Sequence, residues 1–222
     1  MPSPPEPAAR VAAPTPPSRQ QRRKQQTRSR LVGAARALIA ERGVEGVGMS
    51  DIAQAADLGA GTIYNYFQTR DQIVEAVAEE SVESMGEALD RLTHDLTDAA
   101  EVFAFSLRHL VRRAATDPIW GWFVVRLGVA HPVLISILGP RAGRDLRKGV
   151  DSGRFSIPDV EIATSCVFGA LLSTLHQILS APAQPGIDEV FARTMLCMVG
   201  VPFDAAADIA ARPLPDLPET TP

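Results

Sequence analysis

The side chains with the most distinctive chemistry fall in one short run: Thr62, Tyr64, Asn65 and Tyr66, preceded by Gly59-Ala60-Gly61 and followed by Arg70. None is a nucleophile beside a base. What the set can do is touch a nucleic acid. Asn65 carries a donor and an acceptor side by side and can bond an adenine edge bidentately, while Thr62 can meet a thymine methyl or a phosphate. Gly59, Ala60 and Gly61 have almost no side chain, so a helix N-terminus here can come close to the groove and offer backbone N–H groups to phosphate. Tyr64 is amphipathic and divides between packing and phosphate contact.

Those residues need two short helices to position them. From Met49 to Phe67, Ile52, Ala53 and Ala56 form the inner stripe of one helix. Ile63, Tyr64 and Phe67 form that of the next. Asp57, Leu58 and Gly59 break the period between them. The small Ala53 lies where two steeply crossing helices nearly touch, and Leu58 plugs the turn. The pattern predicts a helix-turn-helix at about 48–67, whose second helix can enter a major groove. A supporting helix is predicted from Thr27 to Arg42, with Leu31, Ala35, Leu38 and Ile39 on one face and Gly43 as its stop.

Charge is sorted along the chain. The 222 residues carry a net charge of −4, but residues 1–72 hold +4 and the remainder −8. The basic end is the nucleic-acid candidate, and the acidic body is repelled by phosphate. Residues 1–26 are expected to be a disordered arm, rich in proline up to Pro17 and basic from Arg19. Its last part, continuing into Arg28, is the candidate for phosphate contact. With 45% hydrophobic residues the rest can bury a full core.

Beyond Phe67 every segment reads as helix. Thr69 with Gln72 matches a capping box opening a long helix. Asp98, Asp117-Pro118, His131-Pro132 and Asp159 open others, and Gly139-Pro140 is expected to kink or divide the helix that holds it. The stretch 162–187 contains no charged residue. We read it as a doubly buried helix, the alternative being a membrane span. The fold class predicted is all-α: a DNA-binding domain at 27–72, a helical body at 73–211 and a proline-rich tail at 212–222.

Thr62 to Ile73, reading TIYNYFQTRDQI, together with the preceding helices, resembles the N-terminal signature of the TetR family of bacterial transcription regulators. The likeness spans about 27–80; farther on it is one of helical layout only. It implies a homodimer held by the last two long helices in a four-helix interface, and a small-molecule pocket in the C-terminal domain. It places Gly59, Ala60, Gly61, Thr62, Tyr64 and Asn65 toward DNA, Tyr66 and Arg70 at phosphates, and Ile63 and Phe67 in the core. Three positions depart from the family pattern. Asp57 occupies a turn position often held by Gly, Gly59 stands where Ser or Thr commonly caps, and Gly48 replaces a capping Thr. Glycine still caps acceptably.

The effector candidates are the aromatic residues of a chain poor in them. Phe103, Trp120, Trp122, Phe123 and Phe168 suit an apolar pocket, with Leu172 beside them. Arg126, His131 and His176 are the polar residues that can orient a ligand. Each taken singly also reads as bundle core. Cys166 and Cys197 match neither a zinc site nor a disulfide framework and suit a reducing cytoplasm. No apolar core follows the basic N-terminus, so no secretory leader is expected. With no nucleophile elbow, metal spacing or phosphate-binding loop, neither catalysis nor a cofactor or metal is expected. The expected function is a cytoplasmic, sequence-specific DNA-binding regulator, a repressor released by a small apolar or amphipathic ligand. The alternative is a helical ligand-binding or interaction protein that keeps the fold without operator binding.

Overall fold

Ser18 starts the first helix, eight residues before the predicted onset. Its hydroxyl accepts from the Gln21 N–H at 3.2 Å, and Gln21 Oε1 accepts from the Ser18 N–H at 2.7 Å. This reciprocal box opens α1, Arg19–Arg42. The expectation of a disordered arm up to residue 26 is therefore corrected for Arg19 onward. Arg, Lys and Gln are good helix formers. No apolar residue precedes Leu31, so no period revealed these two turns. The computed structural model describes residues 18–128, 132–181 and 184–217. The proline-rich part of the arm, 1–17, lies outside them, as does the end of the tail, 218–222.

Among the described residues all regular structure is helical. After α1 and a 3₁₀ turn at Val44–Gly46 come α2, Met49–Ala55, a 3₁₀ turn at Ile63–Asn65, and α3, Arg70–Thr93. Then follow α4, Ala99–Thr116; α5, Pro118–Leu127; α6, Pro132–Asp151; α7, Val160–Ser180; α8, Ile187–Met198; and α9, Phe203–Ala210. Asp98, Asp117 and Asp159 cap α4, α5 and α7 through their carboxylates, the second as expected. At α3, Thr69 accepts from the Gln72 N–H at 3.3 Å. Gln72 reaches back one residue farther than in a standard box, accepting from the Gln68 N–H at 2.7 Å.

Two cores share α3. Leu31, Val32, Ile52, Ala53, Ile63 and Phe67 pack with Ile73 and Val77 at the start of α3. From Val82 onward the same helix packs into the body, with Phe103, Leu107, Leu138, Leu171 and Leu196. One continuous helix therefore joins the body to the N-terminal unit. Inside the body, α4 packs against α5 through α9. Its Arg108 is only 2% exposed. Arg108 Nε donates to Asp188 at 2.9 Å and Nη1 to the Arg212 carbonyl at 2.6 Å, tying α8 and the chain end to α4. Arg112 donates to the same carboxylate at 2.8 Å.

One further expectation is narrowed and one corrected. Of the two outcomes expected at Gly139-Pro140, division does not occur: α6 runs unbroken through Pro140. Proline has no N–H and so frees a carbonyl one turn earlier. The neighbouring Arg141 donates from Nη1 to the Ile137 carbonyl at 2.8 Å, supporting the backbone there. α7, uncharged after Glu161, is not doubly buried. Ala163, Val167, Leu171, Leu172 and Leu175 face the core, while Ile162 is 64% exposed and Cys166, Ser173 and His176 are exposed. It is the one helix among the described residues long and apolar enough to cross a membrane.

Candidate nucleic-acid interface and effector cavity

The connection between α2 and the second helix of the motif is a tight turn that demands a left-handed residue. Asp57 supplies it at φ 53°, the only described residue besides glycine with positive φ. Asp tolerates this conformation better than most residues, which explains how it replaces the usual Gly. Its carboxylate lies 4.0 Å from the Arg30 guanidinium, and Arg30 donates to the Ala56 carbonyl at 2.6 Å. Arg30 thus caps the end of α2, a role that no local pattern announced. At the other end of α2, Asp51 accepts from the Gly48 N–H at 2.9 Å and supplies half of the missing cap.

The second helix is shorter than expected. Gly59 to Thr62 form a turn, with the Thr62 N–H donating to the Gly59 carbonyl at 2.8 Å. Only Ile63–Asn65 is helical, as a single 3₁₀ turn. Two glycines and an uncapped start weaken helix propensity here. Gly59, Ala60, Gly61, Tyr64 and Asn65 are exposed together, with Thr62 half-buried beside them. Ile63 and Phe67 are buried.

Tyr66 packs partly against the N-terminal core. Arg28 is stacked over Phe67, its guanidinium carbon 5.2 Å from the ring centroid. Arg70 is half-buried and donates to Glu45 at 3.2 Å. The residues expected at the tip do form one surface, and the two arginines flank it with their stems anchored. The first turns of α1 add exposed Arg19, Arg22, Arg23 and Lys24, with no acidic residue among them.

The nine effector candidates do not converge on one pocket. Phe103 and Phe168 line a cavity of about 60 Å³ among α3, α4, α6 and α7, with Leu107, Leu110, Leu138 and Leu171. Phe103 meets Phe155 edge to face, with centroids 5.7 Å apart. Leu172 is buried in the body core. Trp120 and Phe123 instead border a second cavity, on the seam with α1 and the start of α3. Trp122 lies at the outer mouth of that seam with Arg126. Its ring meets the exposed His176 edge to face, centroids 5.6 Å apart. His131 lies outside the described residues.

The polar side of the first cavity was not foreseen. Asp90, Thr93, Ser106, Arg141 and Asp145 line it opposite the leucines. Arg141 donates from Nε to Asp90 at 2.8 Å and from Nη2 to Glu83 at 2.6 Å. Arg144 donates to Asp90 at 2.7 Å and to Asp145 at 2.9 Å. Burial raises the Asp90 pKa, but the hydrogen bonds and charges of both arginines outweigh it and hold the carboxyl below its ordinary value. Asp90 is therefore an anion at neutral pH. Hydrogen bonding to Glu83 in turn keeps Arg141 firmly protonated. Gly86 makes this possible, since a Cβ there would lie 2.9 Å from Arg141 Cζ. A nearly all-apolar slot with a few charged residues in its lining can hold a small ring.

The family model described as "Bacterial regulatory proteins, tetR family" matches residues 31–77. A second, "Tetracyclin repressor-like, C-terminal domain", matches residues 98–212. The crystal structure of RolR in complex with resorcinol is 51% identical in sequence with a TM-score of 0.79, covering 89% of this chain and 99% of that one. An uncharacterised helix-turn-helix transcriptional regulator of Mycobacterium tuberculosis is 26% identical over 192 residues, covering 86% of this chain and 92% of that protein. The FadR regulator of Bacillus subtilis, solved with stearoyl-CoA, is 22% identical and covers 77% of this chain and 96% of that one; its TM-score of 0.60 shows a common fold. With both halves matched, the chain belongs to the TetR family of bacterial regulators, as a DNA-binding transcription regulator with a ligand-binding helical body.

Proposed function

We propose that the chain is a homodimeric repressor that leaves a pseudo-palindromic operator when a small dihydroxylated aromatic compound fills the cavity among α3, α4, α6 and α7. The observation that carries this reading is the cavity itself. It is an almost wholly apolar chamber whose leucine and phenylalanine side chains suit the faces of one ring, with Asp90, Asp145 and Arg141 among its lining residues. RolR, 51% identical, was solved with resorcinol, a ligand of that class. At about 60 Å³ the cavity is smaller than the roughly 150 Å³ that admits benzene in an engineered core. Binding therefore has to part α6 from α3, and α3 runs into the N-terminal core. A ligand that binds only the parted state draws the population toward it.

On the DNA side we assign base and backbone contact to Gly59, Ala60, Gly61, Thr62, Tyr64 and Asn65, and phosphate contact to Arg28, Tyr66 and Arg70, within a DNA-binding unit at 27–72. The basic first turns of α1 extend that surface. Residues 73–211 bind the effector and pair the two copies through α7 and α8. Two such units, related by a twofold axis, read half-sites about 34–36 Å apart or a multiple of that. Selection from random duplexes with the full-length protein tests the reading, followed by titration with resorcinol. A palindrome should be enriched, and resorcinol should weaken its binding by about tenfold or more, a coupling of roughly 1.4 kcal/mol. Enrichment of no sequence rejects the operator. An enriched palindrome whose affinity ignores resorcinol rejects the effector class.

A further inference from the structure

Both indole rings of the chain border the seam between the DNA-binding unit and the body, and the effector reading uses neither. The inner part of the seam is an apolar chamber of about 100 Å³, walled by Ile39, Val77 and Ala78 on one side and Trp120 on the other. The outer part is an open crevice rimmed by Arg42, Glu45, Trp122 and Arg126. Val44, Val74, Ile119 and Phe123 line both, so the two parts form one groove with an apolar throat.

Two observations mark the groove as incomplete. Trp120 is 6% exposed, and its Nε1–H has no acceptor among the described residues. A buried donor without a partner calls for an explanation, because such groups are rare in native folds. At the rim, two guanidinium groups face one carboxylate, and Glu45 already accepts from Arg70. Deeper in, Arg36 is neutralised by Glu80 at 2.8 Å and Arg113 by Asp117 at 2.7 Å. Arg42 Nε lies 3.7 Å from Glu41, so the guanidinium at the outer mouth without a carboxylate partner among the described residues is that of Arg126.

We propose that this groove is a second ligand site, for a small aromatic carboxylate bearing an oxygen opposite the carboxyl group. The ring lies in the throat between Val44, Val74, Ile119 and Phe123. The carboxylate meets Arg42 and Arg126, and the far oxygen accepts from the Trp120 indole N–H. The site spans the joint that sets the angle between the DNA-binding unit and the body. It stands apart from the Asp90 cavity, so neither proposal depends on the other.

The test uses ¹⁵N-labelled full-length protein and 4-hydroxybenzoate. The chain has two tryptophans, so the indole region shows two N–H resonances. Trp122→Phe assigns them. The Trp120 resonance should move saturably as its N–H gains an acceptor. Combined Arg42→Ala and Arg126→Ala, both at exposed positions, should raise the apparent Kd by about tenfold through loss of charge-assisted bonds. Ala40→Leu, which narrows the chamber from an exposed position on α1, should abolish the shift. Asp90→Ala, in the other cavity, should leave it unchanged. The proposal is overturned by a non-saturable shift, by an unchanged Kd in the double-arginine variant, or by loss of the shift in Asp90→Ala alone.

Discussion

Asn65 and Arg70 lie five residues apart and should fail differently when truncated. Asn65 is exposed at the tip of the motif and has the amide that can discriminate one base. Asn65→Ala should relax preference at one base position while leaving the rest of the selected motif intact; an unchanged motif would refute that role. Arg70 carries charge without base information. Arg70→Ala should weaken binding to every sequence alike and reduce the salt slope by about one. The exposure of Asn65 was legible because no apolar stripe includes it, and the start of the helix at Arg70 because Thr69 and Gln72 mark it; their contacts with DNA are proposals. The effector side was not legible. Arg141 finds Asp90 and Glu83 more than fifty residues away in the chain, and no spacing rule links them. His109 was equally silent. Its Nε2 is buried without a partner among the described residues, and burial lowers its pKa, outweighing a hydrogen bond to the Pro215 carbonyl. A histidine with a depressed folded pKa contributes fully above the ordinary value near 6.5 and loses that contribution as pH falls below it. Chemical denaturation from pH 7 to 5 should show declining stability, and His109→Leu should flatten the decline. Asp188 and Asp98 are held below their ordinary pKa, so their contributions are lost only later, below about pH 4.

Elements were legible where an apolar stripe or a capping side chain marked them. The carboxylate cap of α5 was foreseen, as were the starts of α4 and α7 and the break at Gly43. The errors in helix length have one origin. The first turns of α1 have no core face, and the motif's second helix is shortened by glycine, so hydrophobic period misjudged both lengths. Gly61 tests whether that shortening has a purpose. A Cβ at Gly61 meets nothing within 4 Å, and its φ is not positive. Gly61→Ala should therefore stabilise the free protein by up to about 1 kcal/mol, by restricting the unfolded chain and favouring helix. If the glycine exists to let backbone approach phosphate, operator affinity should fall while the melting temperature rises. A gain in both would show that Gly61 is not there for close approach.

At the scale of the whole molecule the exposed face of α7 is the outstanding problem. Only 28% of the most apolar window of this helix is buried, and no charge interrupts it after Glu161. Ile162, Cys166, Ser173 and His176 follow helical spacing along its outer side, so one straight stripe is left without cover. In the proposed homodimer a second copy would supply that cover with the same stripe, because a twofold interface is self-complementary. The same axis would place the two recognition tips in successive grooves, which makes dimerisation and operator affinity a single property. Ile162→Asp is the sharpest probe, since the side chain is 64% exposed in the single chain and costs the isolated fold little. In the dimer it would bring two carboxylates to an apolar seam. Sedimentation should then show a monomer with unchanged helicity. Operator binding should fall by about 10²–10⁴, the advantage that linkage of two half-site contacts supplies. A variant that stays dimeric and keeps its affinity would move the seam off α7. A monomer that still bound the full operator tightly would break the link between pairing and reading, and with it the route by which a ligand inside one body reaches the DNA.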